Sequence, residues 1–198
     1  MKKLCIRVTD LDAYRYYLNS EMTEKEFIDR LKRKSKPNEA MLKGTAWHKV
    51  LEDVQEDLDG VVEQNGFKFN ISFDGSIEIP QIKEIRAGAN FVINGVSVYL
   101  AGGCDGITGL KITDHKLTFN PKIDRYAESM QWRSYLFIYN ASIFEYIIYS
   151  AKETDNFIEI YDISKLNFFS YPSIGDDVFE ATKELVYFIQ ENASELIV

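Results

Sequence analysis

The spacing of hydrophobic and polar positions changes near residue 60. Before it the chain reads as helices. Thr9-Asp10 opens a short helix reaching Tyr17. Thr23 and Glu26 stand at capping-box spacing and start a second, Glu24 to Lys32. Pro37-Asn38 interrupts the pattern. A third helix is predicted from about Glu39 to Leu58, with Leu42, Ala46, Val50 and Val54 recurring every four residues as one buried stripe. Beyond Gly60 the alternation shortens to period two. FKFNISF and SIEIPQI flank Asp74-Gly75, and ANFVI and VSVYLAG flank Asn94-Gly95; both dipeptides are two-residue hairpin signals. CDGIT, Gly109 and LKITDHKLTF continue this antiparallel meander until Pro121. A helix is predicted from Ala127 to about Tyr139. Strands IFEYIIYSA and NFIEIYDI follow, and Asp176-Asp177 caps a last helix to about Ala193.

This order predicts an α/β protein of the mixed α+β kind, with a central mixed sheet, an antiparallel meander and flanking helices. The 198 residues suit one domain with a full core. Within it the N-terminal helices fall in 9–36, the core in 39–164 and the C-terminal helix in 176–193.

Composition narrows the function classes. The net charge of −8 argues against a surface coated in basic residues for nucleic acid, though not against a local basic groove. Such a groove has a candidate in the run Arg30, Lys32, Arg33, Lys34 and Lys36, which reads equally as a solvated loop. The two cysteines form no Cys-x-x-Cys pair, so neither a zinc ribbon nor an iron–sulfur cluster is expected from this chain. They fit a reducing compartment. The N-terminus turns acidic too early for a signal peptide. The apolar run Tyr135–Ala151 is interrupted by Asn140 and Glu145 and is too short to span a bilayer. A cytoplasmic protein without membrane contact is expected.

The candidate chemistry begins in GGCDGITGLKITDHK, Gly102 to Lys116. Residues i and i+2 of a strand share a face, so Asp114 and Lys116 project together. Asp105 stands across the Gly106–Gly109 turn, within reach of Asp114. Two facing carboxylates repel unless a cation joins them, and hard oxygen donors favour Mg²⁺ or Mn²⁺. The same residues also read as a surface Asp–Lys pair. On the long helix, Gly44, His48 and Glu52 fall one turn apart on one face. His48 reads as a metal ligand or as an interior histidine satisfied by a hydrogen bond. Gln131 and Tyr135 are also one turn apart, on a helix otherwise rich in apolar residues.

Taken together, Gly-x-x-x-His-x-x-x-Glu on a helix, Asp on a strand, Asp-x-Lys on the next and Gln-x-x-x-Tyr on a helix resemble the PD-(D/E)XK nuclease superfamily. The resemblance covers about Met41 to Tyr139 and is greatest to the RecB-like, phage-type exonuclease branch. It implies a restriction-endonuclease-like αβββαβ core and a metal-dependent DNA nuclease of phage or prophage recombination, repair or processing. By the same resemblance, His48, Asp105, Asp114 and the backbone carbonyl of His115 hold Mg²⁺ or Mn²⁺, and Lys116 is catalytic. Gln131 and Tyr135 position the site and the DNA backbone, and Glu52 matches the acid of the first motif. Gly44 and the run Arg30–Lys36 would meet DNA. Gly102, Gly103, Gly106 and Gly109 would admit a phosphate backbone closely. A recombinase, single-strand-binding protein or helicase would be a separate partner. The rival expectations are a nuclease-derived DNA-binding or protein-interaction module without activity, and an α+β domain whose charges are surface pairs.

Overall fold

The computed structural model describes residues 1–53, 58, 60–73, 80–120, 122 and 124–198. Among these, eight strands form one mixed sheet with helices on both faces. β1 (Lys2–Arg7) leads into α1 (Val8–Leu18), α2 (Glu24–Leu31) and α3 (Glu39–Asp53). β2 (Gly60–Gln64) and β3 (Phe67–Ile71) follow, then the long hairpin β4 (Ile82–Ile93) and β5 (Val96–Thr108). β6 (Lys111–Thr118), α4 (Asp124–Glu128), α5 (Met130–Ile138), β7 (Ile143–Glu153), β8 (Ile158–Phe169) and α6 (Ile174–Asn192) complete the chain. The path α3–β4–β5–β6–α5–β7 is the αβββαβ core that the motif order implied.

Local chemistry explains much of this. Thr23 and Glu26 close the predicted capping box, with Thr23 Oγ1 accepting from Glu26 N at 3.3 Å and Thr23 N donating to Glu26 Oε2 at 2.8 Å. Asn94 and Gly95 take positive φ (46° and 76°), so this turn matches the twist of its strands. β7 is the most buried strand. Phe144, Tyr146 and Ile148 enter one core with α1, α5 and α6, while Ile147, Tyr149 and Ala151 enter a second core under α3.

Several expectations are corrected. β1 was not anticipated; its Leu4 and Ile6 face the core between exposed neighbours, and it pairs parallel to β5. β2 was also missed, and it pairs antiparallel to β3 across Asn65-Gly66, both at positive φ. The stripe on α3 is Lys43, Ala46, Trp47, Val50 and Leu51; Leu42 is exposed. Lys43 is buried because its ammonium bridges Glu39 and Glu153 (2.7 and 2.8 Å). Leu58 is not helical, and Val54, Pro121 and the Asp74-Gly75 turn lie outside the described residues. CDGIT belongs to one continuous strand with VSVYLAGG. The single helix expected from Ala127 is two, because Ser129 caps α5 by accepting from Gln131 N at 3.0 Å. β8 runs to Phe169, past the core boundary expected at 164, and α6 starts after Ser173 with Asp176 and Asp177 in its first turn. Among the described residues no helix is long and apolar enough to cross a membrane.

The sheet forks at β5. One edge of β5 pairs with β4 from Val96 to Ile107. The other edge is shared: β1 takes Val96–Ala101, and β6 takes Gly106–Thr108. Between Ala101 and Gly106 that edge has no strand beside it. The last β5–β6 pair is Gly106↔Thr113, so Asp105 and Asp114 occupy the first opposed step at which the two strands have parted.

Candidate active site

The fork gathers the predicted residues. Asp105 Oδ2 accepts from His115 N at 2.7 Å, in place of the missing strand ladder. The same oxygen lies 3.4 Å from His48 Nδ1 on α3. Asp114 is buried, and its Oδ1 accepts from Gln131 Nε2 at 2.9 Å. Its Oδ2 makes no hydrogen bond of good geometry, but the Lys116 ammonium lies 2.5 Å away. Tyr146 Oη donates to Gln131 Oε1 at 3.3 Å, which fixes the amide orientation. Two tyrosines, on α5 and at its C-cap, bond carbonyls of the β4–β5 hairpin beside the fork. Tyr135 Oη donates to Gly103 O at 2.6 Å, and Tyr139 Oη lies 3.2 Å from Gly102 O and 2.6 Å from Ile85 O.

Charge follows from this packing. Burial and the charge of Asp105 push the Asp114 carboxyl up to about 6, against the opposing pull of Lys116. Burial also works on Asp105, but the hydrogen bond and charge of His48, Lys116 and the His115 N–H hold it below its usual value. Burial alone would lower both His48 and Lys116; the two aspartates more than reverse it, and both are raised. Lys116 is therefore an ammonium near neutral pH. His115 is pushed down to about 4, chiefly by burial, and its Nδ1 stands 3.0 Å from Tyr149 Oη under α3.

The remaining predicted residues lie further out. Glu52 lines a small pocket with His48, Asp105 and Lys83, but its carboxylate pairs with Lys49 at 2.8 Å. Gly44 has nothing within 4 Å of where a Cβ would stand, so the space above it is open. Gly102 and Gly106 have protein reasons for lacking a side chain: a Cβ would meet the Tyr135 ring at 2.9 Å and Pro80 at 2.4 Å. In the basic run, Arg33 binds the buried Asp10 through both guanidinium nitrogens (2.8 and 2.6 Å), and Lys32 pairs with Glu195. Those two cations build the fold, leaving Arg30, Lys34 and Lys36 exposed on its surface.

Glu84 is a residue that sequence reasoning missed. It stands between the pairs Lys83↔Gly106 and Ile85↔Cys104, opposite Asp105, with φ at 53°. At this unpaired step, in unbroken register, the carboxyl borders the His48–Asp105 pocket, where burial, then Asp105 and Glu52, push its pKa up. Nothing in the alternation of KEIRAG marks it; only the register does. Lys83, its neighbour, donates to the carbonyls of Leu51 and Glu52 at 3.2 and 3.0 Å and so ties the hairpin to α3.

The donor set fits a hard divalent cation. Asp114 presents a buried carboxylate, its Oδ2 met by the Lys116 ammonium, beside a second carboxylate and a histidine. Among the described residues no three His, Cys, Asp or Glu side chains converge as a ready-made cluster, so the protein's own donors are few.

The fold is that of restriction-endonuclease-like α/β proteins, a forked mixed sheet held between helices. No family model and no curated protein matches the sequence. Solved structures share its architecture. The protein SSO0001 superposes with a TM-score of 0.52 at 17% identity, over 92% of this chain and 76% of that one. A candidate exonuclease from Eubacterium rectale superposes with a TM-score of 0.56 at 10% identity, over 97% and 82%. At these identities the likeness is one of fold.

Proposed function

We propose that this protein is a metal-dependent DNA nuclease of the PD-(D/E)XK superfamily, in its RecB-like branch. It hydrolyses phosphodiester bonds from strand ends, in phage or prophage DNA recombination, repair or processing in the cytoplasm. The observation that carries this reading is the opposed pair Asp105 and Asp114 at the fork, with the Lys116 ammonium on one and His48 on the other.

His48, Asp105, Asp114 and the His115 carbonyl are the residues that would hold Mg²⁺ or Mn²⁺. Such an ion, when bound, polarises a scissile phosphate and makes a water nucleophilic at neutral pH. Lys116 binds a phosphate oxygen as an ammonium and offsets the charge that grows on it in the transition state. Gln131 fixes Asp114, and Tyr135 fixes the strand that carries Asp105. His48 and the His115 N–H hold Asp105 ionised and in place. Glu52 borders the pocket. Arg30, Lys34, Lys36 and the open space at Gly44 are candidate contacts for DNA outside the centre. A recombinase, single-strand-binding protein or helicase would deliver that DNA.

The test is digestion of linear and circular DNA with Mg²⁺, with Mn²⁺ and with EDTA. Metal-dependent loss of linear DNA with circles spared is expected, and Lys116→Ala should slow it at least about a hundredfold. Equal digestion by Lys116→Ala, or product in EDTA, would sink the reading. Attack on circles would retain the nuclease and remove the exonuclease.

A further inference from the structure

Lys116 also borders a second, larger space. A cavity of about 740 Å³ lies between α1 and the α4–α5 turn, and both Lys116 and Gln131 line it. Its other walls come from α1, which is not part of the αβββαβ core, and from α4. Arg15 Nη1 donates to Glu128 O at 2.6 Å, which joins the two walls. Arg125 donates to Thr118 Oγ1 at 3.1 Å and Tyr126 Oη at 2.9 Å, with its guanidinium 4.9 Å from the Tyr126 ring centre. Neither arginine has an ion-pair partner among the described residues. Arg33 and Lys32 of the basic run, in contrast, are committed to carboxylates.

The acidic lining does not cancel these cations. Asp12 uses both oxygens at the start of α5, accepting from Ser129 Oγ and Met130 N at 2.6 Å each. Glu128 is the other acid there, and against these two carboxylates the lining sets Arg15, Arg125, Arg133 and Lys116. Tyr16 lines the same cavity with a side chain 59% exposed, a ring not needed by the core. Two cations, a free aromatic face and an outlet at Lys116 are the elements of a single-strand site. The volume lies within the range of about 300–1,000 Å³ typical of small-ligand pockets. That admits a short run of unpaired nucleotides within the cleft.

We propose that this cavity holds an unpaired stretch of the DNA strand, with phosphates on Arg15 and Arg125 and a base stacked on Tyr16. The substrate is then a single strand or an opened duplex end. The assignment of the cut strand rests on the nuclease reading; the binding itself does not.

The experiment measures fluorescence anisotropy of a labelled eight-nucleotide oligothymidylate and of a blunt duplex of equal length, without Mg²⁺. The oligothymidylate should bind more tightly. Tyr16→Ala and Arg125→Gln should each weaken it about tenfold. Tyr16→Ala should leave the thermal midpoint unchanged, since its ring is exposed. Unaltered binding by Tyr16→Ala, or preference for the blunt duplex, overturns the proposal. Digestion of the same DNAs in Mg²⁺ separates the two readings. Digestion with variant-insensitive binding removes the single-strand site and keeps the nuclease. Tyr16-dependent binding without digestion keeps the site and removes the nuclease.

Discussion

Gln131 donates to Asp114 Oδ1 at 2.9 Å, and its own oxygen is held by Tyr146. Removing that amide leaves a buried carboxylate with only the Lys116 ammonium beside it. Gln131→Leu should therefore lower the rate of DNA cleavage by about 10–100-fold, as loss of a group orienting a ligand does. A rate measured against Mg²⁺ concentration checks this, since the variant should also need more metal. Gly44 is a different case. With open space at its Cβ position, Gly44→Ala should stabilise α3 by about 1 kcal/mol, read as a higher urea midpoint. If a phosphate crosses there, the same variant should bind DNA more weakly; an unchanged Kd would remove Gly44 from the interface. That His48, Asp105, Asp114 and Lys116 meet at the fork was legible at this scale from their order along the chain. Glu84 was not, because its place opposite Asp105 is a property of pairing. Nor was the role of Arg33, whose partner Asp10 lies 23 residues away.

Among the elements, legibility depended on whether the signal was local. The capping box at Thr23 was readable, and it formed. Thr23→Ala should cost about 1 kcal/mol, because Glu26 N loses its acceptor and Glu26 Oε2 loses the Thr23 hydroxyl. Denaturant unfolding measures this, and Thr23→Asn should restore most of it. The hairpin at Asn94-Gly95 was read, whereas the same dipeptide at Asn65-Gly66 was passed over because β2 and β3 are short. β1 escaped because six residues with two outward lysines carry little periodicity, and its partner β5 stands ninety residues on in the chain. The break between α4 and α5 was not read, because the apolar run after Ser129 continues the helical pattern across it.

For the molecule as a whole, ionisation and metal are linked through Asp114. A carboxyl raised to about 6 in the fold stabilises below its ordinary value near 3.8, and that contribution is lost as pH rises through 6. Bound metal requires the ionised form, so protons compete with it below about 6. At tenfold excess over Kd, metal should add about 1.4 kcal/mol, or about 3–5 °C in Tm, at pH 7.5. The increment should shrink at pH 5. Calorimetry with and without Mn²⁺ tests this, and an equal increment at both pH values would rule out Asp114 as a ligand. The overall order of helices and strands was readable from the chain, but the fork was not, since no sequence pattern records that β1 and β6 divide one edge of β5. That division makes the proposed centre a property of architecture. Asp105 and Asp114 stand on strands that diverge from their last shared pair, so the span between their carboxylates follows the angle between two leaves of sheet. The core under α1, α5 and α6 spans both leaves, taking Val98, Leu100 and Cys104 of β5 with Ile112 of β6 and Phe144 of β7, while the core under α3 packs only on the β7–β8–β3 side. Repacking either core, far from any charged group, would retune the gap, so on the proposed reading affinity for an ion would be heritable through methyl groups that never touch it.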